Sequence, residues 1–152
     1  MNFDGALAQL DGHYQAMPPV AAMMLRIAGF DGHCLRLQAP LASHVNDKGC
    51  AFGGSLVSLM TLAAWGLVTL RLQQAGLAAD VFVADSQVRY LAPLFDDINA
   101  EARLTDDGAW EDFVADLRER GRASVSIQAC VRLPDGAQAT HCRARYVAIA
   151  KG

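Results

Sequence analysis

The stretch from Asn46 to Leu70, NDKGCAFGGSLVSLMTLAAWGLVTL, passes from polar, turn-forming residues through two glycines into an almost wholly apolar run. The apolar part begins at Leu56 and is shorter than the roughly 20 residues that a membrane-spanning helix needs. A helix that is apolar on nearly every side is stable in water only when protein surrounds it. The pattern therefore predicts a buried helix over residues 54–74, ended by Gly76.

The composition of the whole chain indicates one domain over residues 1–152. Hydrophobic residues make up 53% and charged residues 19%, which argues against disorder. The net charge of −3 comes without a run of Lys or Arg, so no nucleic-acid partner is expected. The four cysteines form no CxxC pair and have no histidine at metal-ligand spacing, so we expect neither a metal nor another cofactor. The first residues lack the pattern of a signal peptide, and we expect a cytoplasmic protein with reduced thiols.

Periodic patterns predict the remaining helices and strands. Apolar residues recur at helical spacing over 3–16, within an N-terminal helix and linker that end at residue 19. A second short helix is predicted from Trp110 to Gly121. Six strands are predicted over 20–30, 33–41, 81–92, 97–104, 122–133 and 138–149, with a tight turn at Asp31-Gly32. The class is therefore α+β, with a mostly antiparallel sheet curled around the central helix. Such a sheet has exposed edges, and pairing with a second copy covers them.

Two motifs in the chain resemble those of hotdog-fold acyl-CoA thioesterases. The run Asn46…Phe52-Gly53-Gly54-Ser55-Leu56 is similar to that family's loop and helix start, which usually reads Asn…His-Gly-Gly. The segment Arg89-Tyr90-Leu91-Ala92-Pro93 resembles its next signature. Within that group the chain resembles the thioesterase-like domain at the C-terminus of some bacterial acetyltransferase-like proteins. The resemblance covers about residues 20–150. It implies the hotdog fold, a homodimer or homotetramer with active sites between subunits, and an acyl-CoA or acyl-carrier-protein substrate.

Gly53 and Gly54 are the candidate oxyanion site. Thioester hydrolysis needs stabilisation of a developing oxyanion, and the free amides and dipole of a helix N-terminus supply it. Glycine lets the acyl carbonyl approach because no Cβ stands in the way. The alternative is that the two glycines only allow a tightly packed helix to begin.

The candidate base lies outside the helix, because the chain departs from the family pattern at two positions. The resemblance places a carboxylate on the long helix where Thr61 stands here, and a His where Phe52 stands. Asp85, in the middle of a strand, is the first candidate. We expect it to face Gly54 and Thr61 across a dimer interface, where burial would raise its pKa. Asp47 is the second candidate, although an Asn-Asp loop is more often a turn.

Polar residues around the helix start have two interpretations each. Asn46 either holds the attacking water or orders the loop. The hydroxyls of Ser55, Ser58 and Thr61 bind water or an amide of the acyl substrate, or else they return hydrogen bonds to the helix backbone. Covalent catalysis by Cys50 is not favoured, because a nucleophile needs a base and only His44 is near in sequence.

The substrate-binding candidates mix polar and apolar side chains. Arginines at 118, 120 and 122 suit the phosphates of a coenzyme, and a solvated charged face explains them equally well. Leu56, Leu59, Met60 and Tyr90 line the acyl pocket or simply pack in the core. The set retained for substrate binding is Phe52, Ser55, Leu56, Ser58, Tyr90 and Arg122.

The sequence thus predicts an acyl thioester hydrolase, with two rivals. One is a non-catalytic acyl-binding or dimerising module that has lost the helix carboxylate. The other is a hydroxyacyl dehydratase of the same fold, although such enzymes pair a His with a carboxylate around the helix, and this helix contains neither.

Overall fold

The computed structural model describes residues 2–152 and has the predicted α+β class. The elements in chain order are α1 (Asp4–Ala16), α2 (Pro18–Ala21), β1 (Arg26–Phe30), β2 (Leu35–Ala39), a 3₁₀ turn (Leu41–Ser43), α3 (Gly53–Gln74), β3 (Ala79–Tyr90), β4 (Ile98–Leu104), α4 (Trp110–Arg120), β5 (Arg122–Arg132) and β6 (Gln138–Ala150).

The six strands form one antiparallel sheet in the order β1-β2-β4-β5-β6-β3. The central helix α3 packs against five of these strands and against α1, and ten of its residues are buried. Within residues 2–152 it is the one helix long and apolar enough to cross a membrane by length and composition. Here it forms the core of the fold, as the apolar pattern predicts.

A close contact between α1 and α3 depends on a glycine. The Tyr14 hydroxyl donates to the carbonyl of Leu62 at 2.7 Å, which places it beside the backbone of α3. A Cβ on Gly66 would lie 2.1 Å from that hydroxyl oxygen and 2.8 Å from the side chain of Leu35. Only a residue without a side chain lets the two helices approach this closely.

The segment over residues 20–25 differs from the prediction of a strand. Pro18 and Pro19 occupy the first helical positions of α2, where the fixed φ of proline favours a helix. Met24 then takes a left-handed conformation with φ of 56°, so the strand begins only at Arg26. The next turn is also longer than predicted, since four residues separate β1 from β2.

The strand β3 forms one edge of the sheet and leaves apolar side chains in solvent. Nine of its twelve residues are exposed and none is buried. Phe82, Val83 and Tyr90 are among the most exposed large apolar residues of the described chain. An apolar edge of this length is typical of a surface that another chain covers.

Candidate active site

The loop before α3 is ordered by its own hydrogen bonds. An isolated bridge joins Val45 to Ala51. The Asn46 side-chain oxygen accepts from the amides of Lys48 at 2.8 Å and Cys50 at 3.1 Å, and its amide group contacts the Cys50 sulfur at 3.2 Å. These contacts match the loop-ordering interpretation of Asn46, and holding a water stays a prediction.

The N-terminus of α3 has no capping side chain within residues 2–152. Phe52 precedes the helix in an extended conformation and makes no side-chain cap. The first helical hydrogen bond runs from Leu56 N to the Phe52 carbonyl at 3.1 Å. The N–H groups of Gly53, Gly54 and Ser55 therefore have no backbone acceptor among the described residues. Their partial charges add to the positive end of the helix dipole.

Two aromatic rings flank these free amides. A Cβ on Gly53 would meet the Tyr90 ring at 3.4 Å, and one on Gly54 would lie 2.6 Å from the Phe52 ring. The two rings are 58% and 56% exposed, so the helix end is open to solvent in a single chain. Directly across from Tyr90 on β6, Thr140 is fully buried and its hydroxyl has no partner among the described residues.

The hydroxyls at the start of α3 have different partners. Ser58 donates to the carbonyl of Gly54 at 2.8 Å, which is the backbone bond expected of a helical hydroxyl. Ser55 instead lies 2.8 Å from Nδ1 of His44, whose Nε2 is 2.7 Å from the carbonyl oxygen of Met23. Sequence reasoning missed this role of His44, because the contact depends on how the loop folds back on the helix.

The apolar candidates on α3 are core residues in the single chain. Leu56, Leu59 and Met60 are at most 4% exposed, so they match the packing interpretation here. Thr61 is half-buried, and its carbonyl accepts from the hydroxyl of Tyr146 at 3.2 Å.

Asp85 lies on the face of the sheet that points away from α3. Tyr146 on β6 faces the helix, as its bond to Thr61 shows, so its neighbour Arg145 faces the other way. Asp85 lies opposite Arg145 in the register and its carboxylate is 3.0 Å from that guanidinium. Within one chain the carboxylate is therefore exposed and ion-paired, and it does not contact Gly54 or Thr61. Its role as catalytic base stays a prediction.

The other charged candidates do not gather at the helix start. Asp47 is exposed and pairs with its neighbour Lys48 at 2.9 Å. Arg118 donates to the carbonyl of Ala75 at 2.9 Å, which puts it at the opposite end of α3, and Arg122 follows shortly after α4. Since α3 has 22 residues, it is about 30 Å long, and Arg118 lies at the end opposite Gly53. Phosphate binding by Arg122 stays a prediction.

A comparison with known protein families identifies the family of this chain. Residues 7–150 match the family described as "Putative thioesterase (yiiD_Cterm)". The chain belongs to this family. The match supports hydrolysis of acyl thioesters at the family level, and it confirms the resemblance to thioesterases read from the Gly-Gly and Arg-Tyr-Leu-Ala-Pro motifs.

Similar solved structures confirm the hotdog fold. A protein of unknown function from Chlorobaculum tepidum is 27% identical, with a TM-score of 0.91 over 97% of this chain and 96% of that one. A protein from Shewanella oneidensis, described as a "putative thioesterase", is 28% identical, with a TM-score of 0.84 over 96% of this chain and 99% of that one. A thioesterase from Haemophilus influenzae is similar in fold, with 17% identity and a TM-score of 0.72 over 93% of this chain and 90% of that one.

This member of the thioesterase family also has a cavity away from the glycines. The cavity has a volume of about 1070 Å³ and lies where the last turn of α3 meets α4 and the β1-β2 loop. Its lining includes Phe30, Arg71, Trp110 and Arg118, and Arg71 stacks over the Trp110 ring at 5.1 Å. The chain thus offers two different surfaces to a ligand, one at each end of α3.

Proposed function

We propose that this protein hydrolyses acyl thioesters of coenzyme A or of an acyl carrier protein at the N-terminus of α3. The observation that carries the proposal is the uncapped helix start, where Gly53, Gly54 and Ser55 present free N–H groups. The substrate carbonyl oxygen accepts hydrogen bonds from these groups. Its negative charge grows as the tetrahedral intermediate forms, so the interaction is stronger in the transition state than in the ground state.

The side chains around the amides suit a thioester. The rings of Phe52 and Tyr90 flank the glycines and offer apolar surface to the acyl chain or to the pantetheine arm. The hydroxyl of Thr140, buried without a described partner beside Tyr90, is a donor that a bound ligand or a water can satisfy.

We further propose that the protein is a homodimer that closes this open site, with assembly into a homotetramer as the alternative. Antiparallel pairing of β3 with its copy would cover the exposed apolar edge and place the partner beside Phe52 and Tyr90. Phe82→Arg should convert the dimer to a monomer in size-exclusion chromatography with light scattering. Met24→Arg adds the same charge at an exposed apolar residue outside β3 and should leave the dimer intact. Equal masses for both variants would contradict this interface.

The cysteines fit a reducing compartment. All four are free and buried in the described chain, and we propose a cytoplasmic location on this ground.

A binding module is the second candidate, and Thr61 in place of a helix carboxylate favours it. The test is a panel of acyl-CoA and acyl-carrier-protein thioesters of different chain length, with detection of the free thiol. Turnover of at least one thioester is expected. If every thioester binds in calorimetry and none is cleaved, the hydrolase proposal is wrong and the binding module is correct. Conversion of a 3-hydroxyacyl thioester to an enoyl product would instead identify a dehydratase.

A further inference from the structure

His44 connects the start of α3 to the carbonyl of Met23. Its Nε2 lies 2.7 Å from that carbonyl oxygen and its Nδ1 lies 2.8 Å from the Ser55 hydroxyl oxygen. A carbonyl only accepts hydrogen bonds, so Nε2 carries a proton. In the neutral ring Nδ1 is then an acceptor, and the Ser55 hydroxyl donates to it. Nucleophile, base and orienting group are thus in the order that activates a serine.

The ring of His44 is held firmly in this position. It is 6% exposed, and its backbone carbonyl accepts from Phe52 N at 2.8 Å, which ties it to the residue before the helix. Its backbone amide donates to Leu41 at 2.8 Å. The chain also takes an unfavourable left-handed conformation at Met24, next to the orienting carbonyl. Such strain is retained where the surrounding structure requires it, often at functional sites.

Ser55 differs from two other hydroxyls of the same helix. Ser58 and Thr69 return their hydrogen bonds to the carbonyls four residues earlier, at 2.8 and 2.9 Å. Ser55 is instead bonded to a histidine, is partly exposed, and lies in the first helical turn with the free amides of Gly53 and Gly54. A carbonyl bound to these amides would lie beside the helical turn that carries the serine oxygen.

The orientation of Asp85 favours a different residue of the chain as the base. An antiparallel pair of identical strands is related by a two-fold axis perpendicular to the sheet, so both α3 helices of a β3-to-β3 dimer lie on one side. Asp85 points to the other side in both copies. His44, by contrast, already contacts the Ser55 hydroxyl at the helix start.

We propose that Ser55 is the nucleophile of the thioesterase reaction and that His44 is its general base, oriented by the Met23 carbonyl; this inference rests on the proposed function. The Ser55 oxygen attacks the thioester carbonyl carbon while its proton moves to Nδ1 of His44. The intermediate collapses, the C–S bond breaks, and the leaving thiolate takes that proton. Water then attacks the acyl-serine ester as His44 accepts its proton. The acid leaves, and the proton returns to the serine oxygen.

The test is to trap the acyl-enzyme formed by the purified full chain with a thioester that it cleaves. The enzyme is acid-quenched within milliseconds and analysed by intact-protein and peptide mass spectrometry. We expect an adduct with the mass of the acyl group on the peptide that contains Ser55. Ser55→Ala should lose the adduct and at least 100-fold in kcat/KM. Ser55→Cys should accumulate the acyl group on its thiol.

Controls separate chemistry from folding. Thr69→Val removes a hydroxyl from the same helix and should keep the wild-type rate and adduct, and circular dichroism should show that every variant is folded. The proposal is overturned if Ser55→Ala retains more than a tenth of the wild-type kcat/KM. It is also overturned if the enzyme turns over with no adduct on the wild type or on Ser55→Cys. Loss of activity in Asp85→Asn with full activity in Ser55→Ala would instead favour direct attack by water. A wild-type enzyme that cleaves no thioester contradicts the proposed function itself, and this inference with it.

Discussion

Replacing Gly53 with proline would remove one candidate oxyanion donor while keeping the helix. Gly53 is the first residue of α3, where proline is favoured and its missing N–H breaks no helical bond. Phe52 before it has ψ of 133°, which is the conformation preferred before proline. Gly53→Ala is the matched control, because it adds a Cβ and keeps the N–H. That Cβ would meet the Tyr90 ring at 3.4 Å, an ordinary van der Waals contact.

The difference between the two variants measures the contribution of the amide. Removal of one oxyanion donor typically costs about 100- to 1000-fold in kcat, or about 2.7–4 kcal/mol. We expect Gly53→Pro to fall below Gly53→Ala by about this factor, with a smaller change in KM, since the bond strengthens in the transition state. The assay is release of the free thiol under saturating thioester, with circular dichroism to confirm that α3 persists. Equal kcat in two folded variants would refute the oxyanion role of Gly53.

Two further predictions concern stability. Gly66→Ala should lower the free energy of unfolding by about 1–3 kcal/mol, because its Cβ would overlap the Tyr14 hydroxyl. Gly12→Ala in α1 should raise it by about 1 kcal/mol, since nothing lies within 4 Å of that Cβ. Urea denaturation of both variants measures the two changes, and equal changes would contradict the close packing at Gly66. Burial and the nearby Glu101 carboxylate raise the pKa of Cys130 to about 11. Its contribution to stability is therefore complete below the unfolded pKa and is lost as the pH rises towards 11. Wild type should then lose more stability than Cys130→Ala above about pH 9. Parallel curves of unfolding free energy against pH for the two proteins would exclude this contribution.

The central helix and most strands could be predicted because their patterns are strong. An apolar run of this length has to be buried, and alternation over 122–133 and 138–149 corresponds to β5 and β6. The segment 20–25 could not be predicted in the same way. Its apolar residues fit a buried strand or a short helix equally well, and the two prolines together with the left-handed Met24 decide for the helix.

The candidate site was predicted only in part. The Gly-Gly motif identifies the helix start, since glycines before a long apolar helix leave its amides open. The direction of Asp85 could not be read from the sequence, because a bulge between Val83 and Asp85 shifts the alternation. Without it the two side chains would share the face towards α3. His44 was missed because its contact with Ser55 depends on the bridge that folds the loop back.

The most direct test of the whole account is a crystal structure with a coenzyme A analogue whose thioester is replaced by a non-hydrolysable ketone. The account predicts that the ketone oxygen lies within about 3.2 Å of the N–H groups of Gly53, Gly54 or Ser55, with the acyl chain along Phe52 and Tyr90. A ketone bound instead at the far end of α3, between Phe30 and Trp110, would contradict the proposed site.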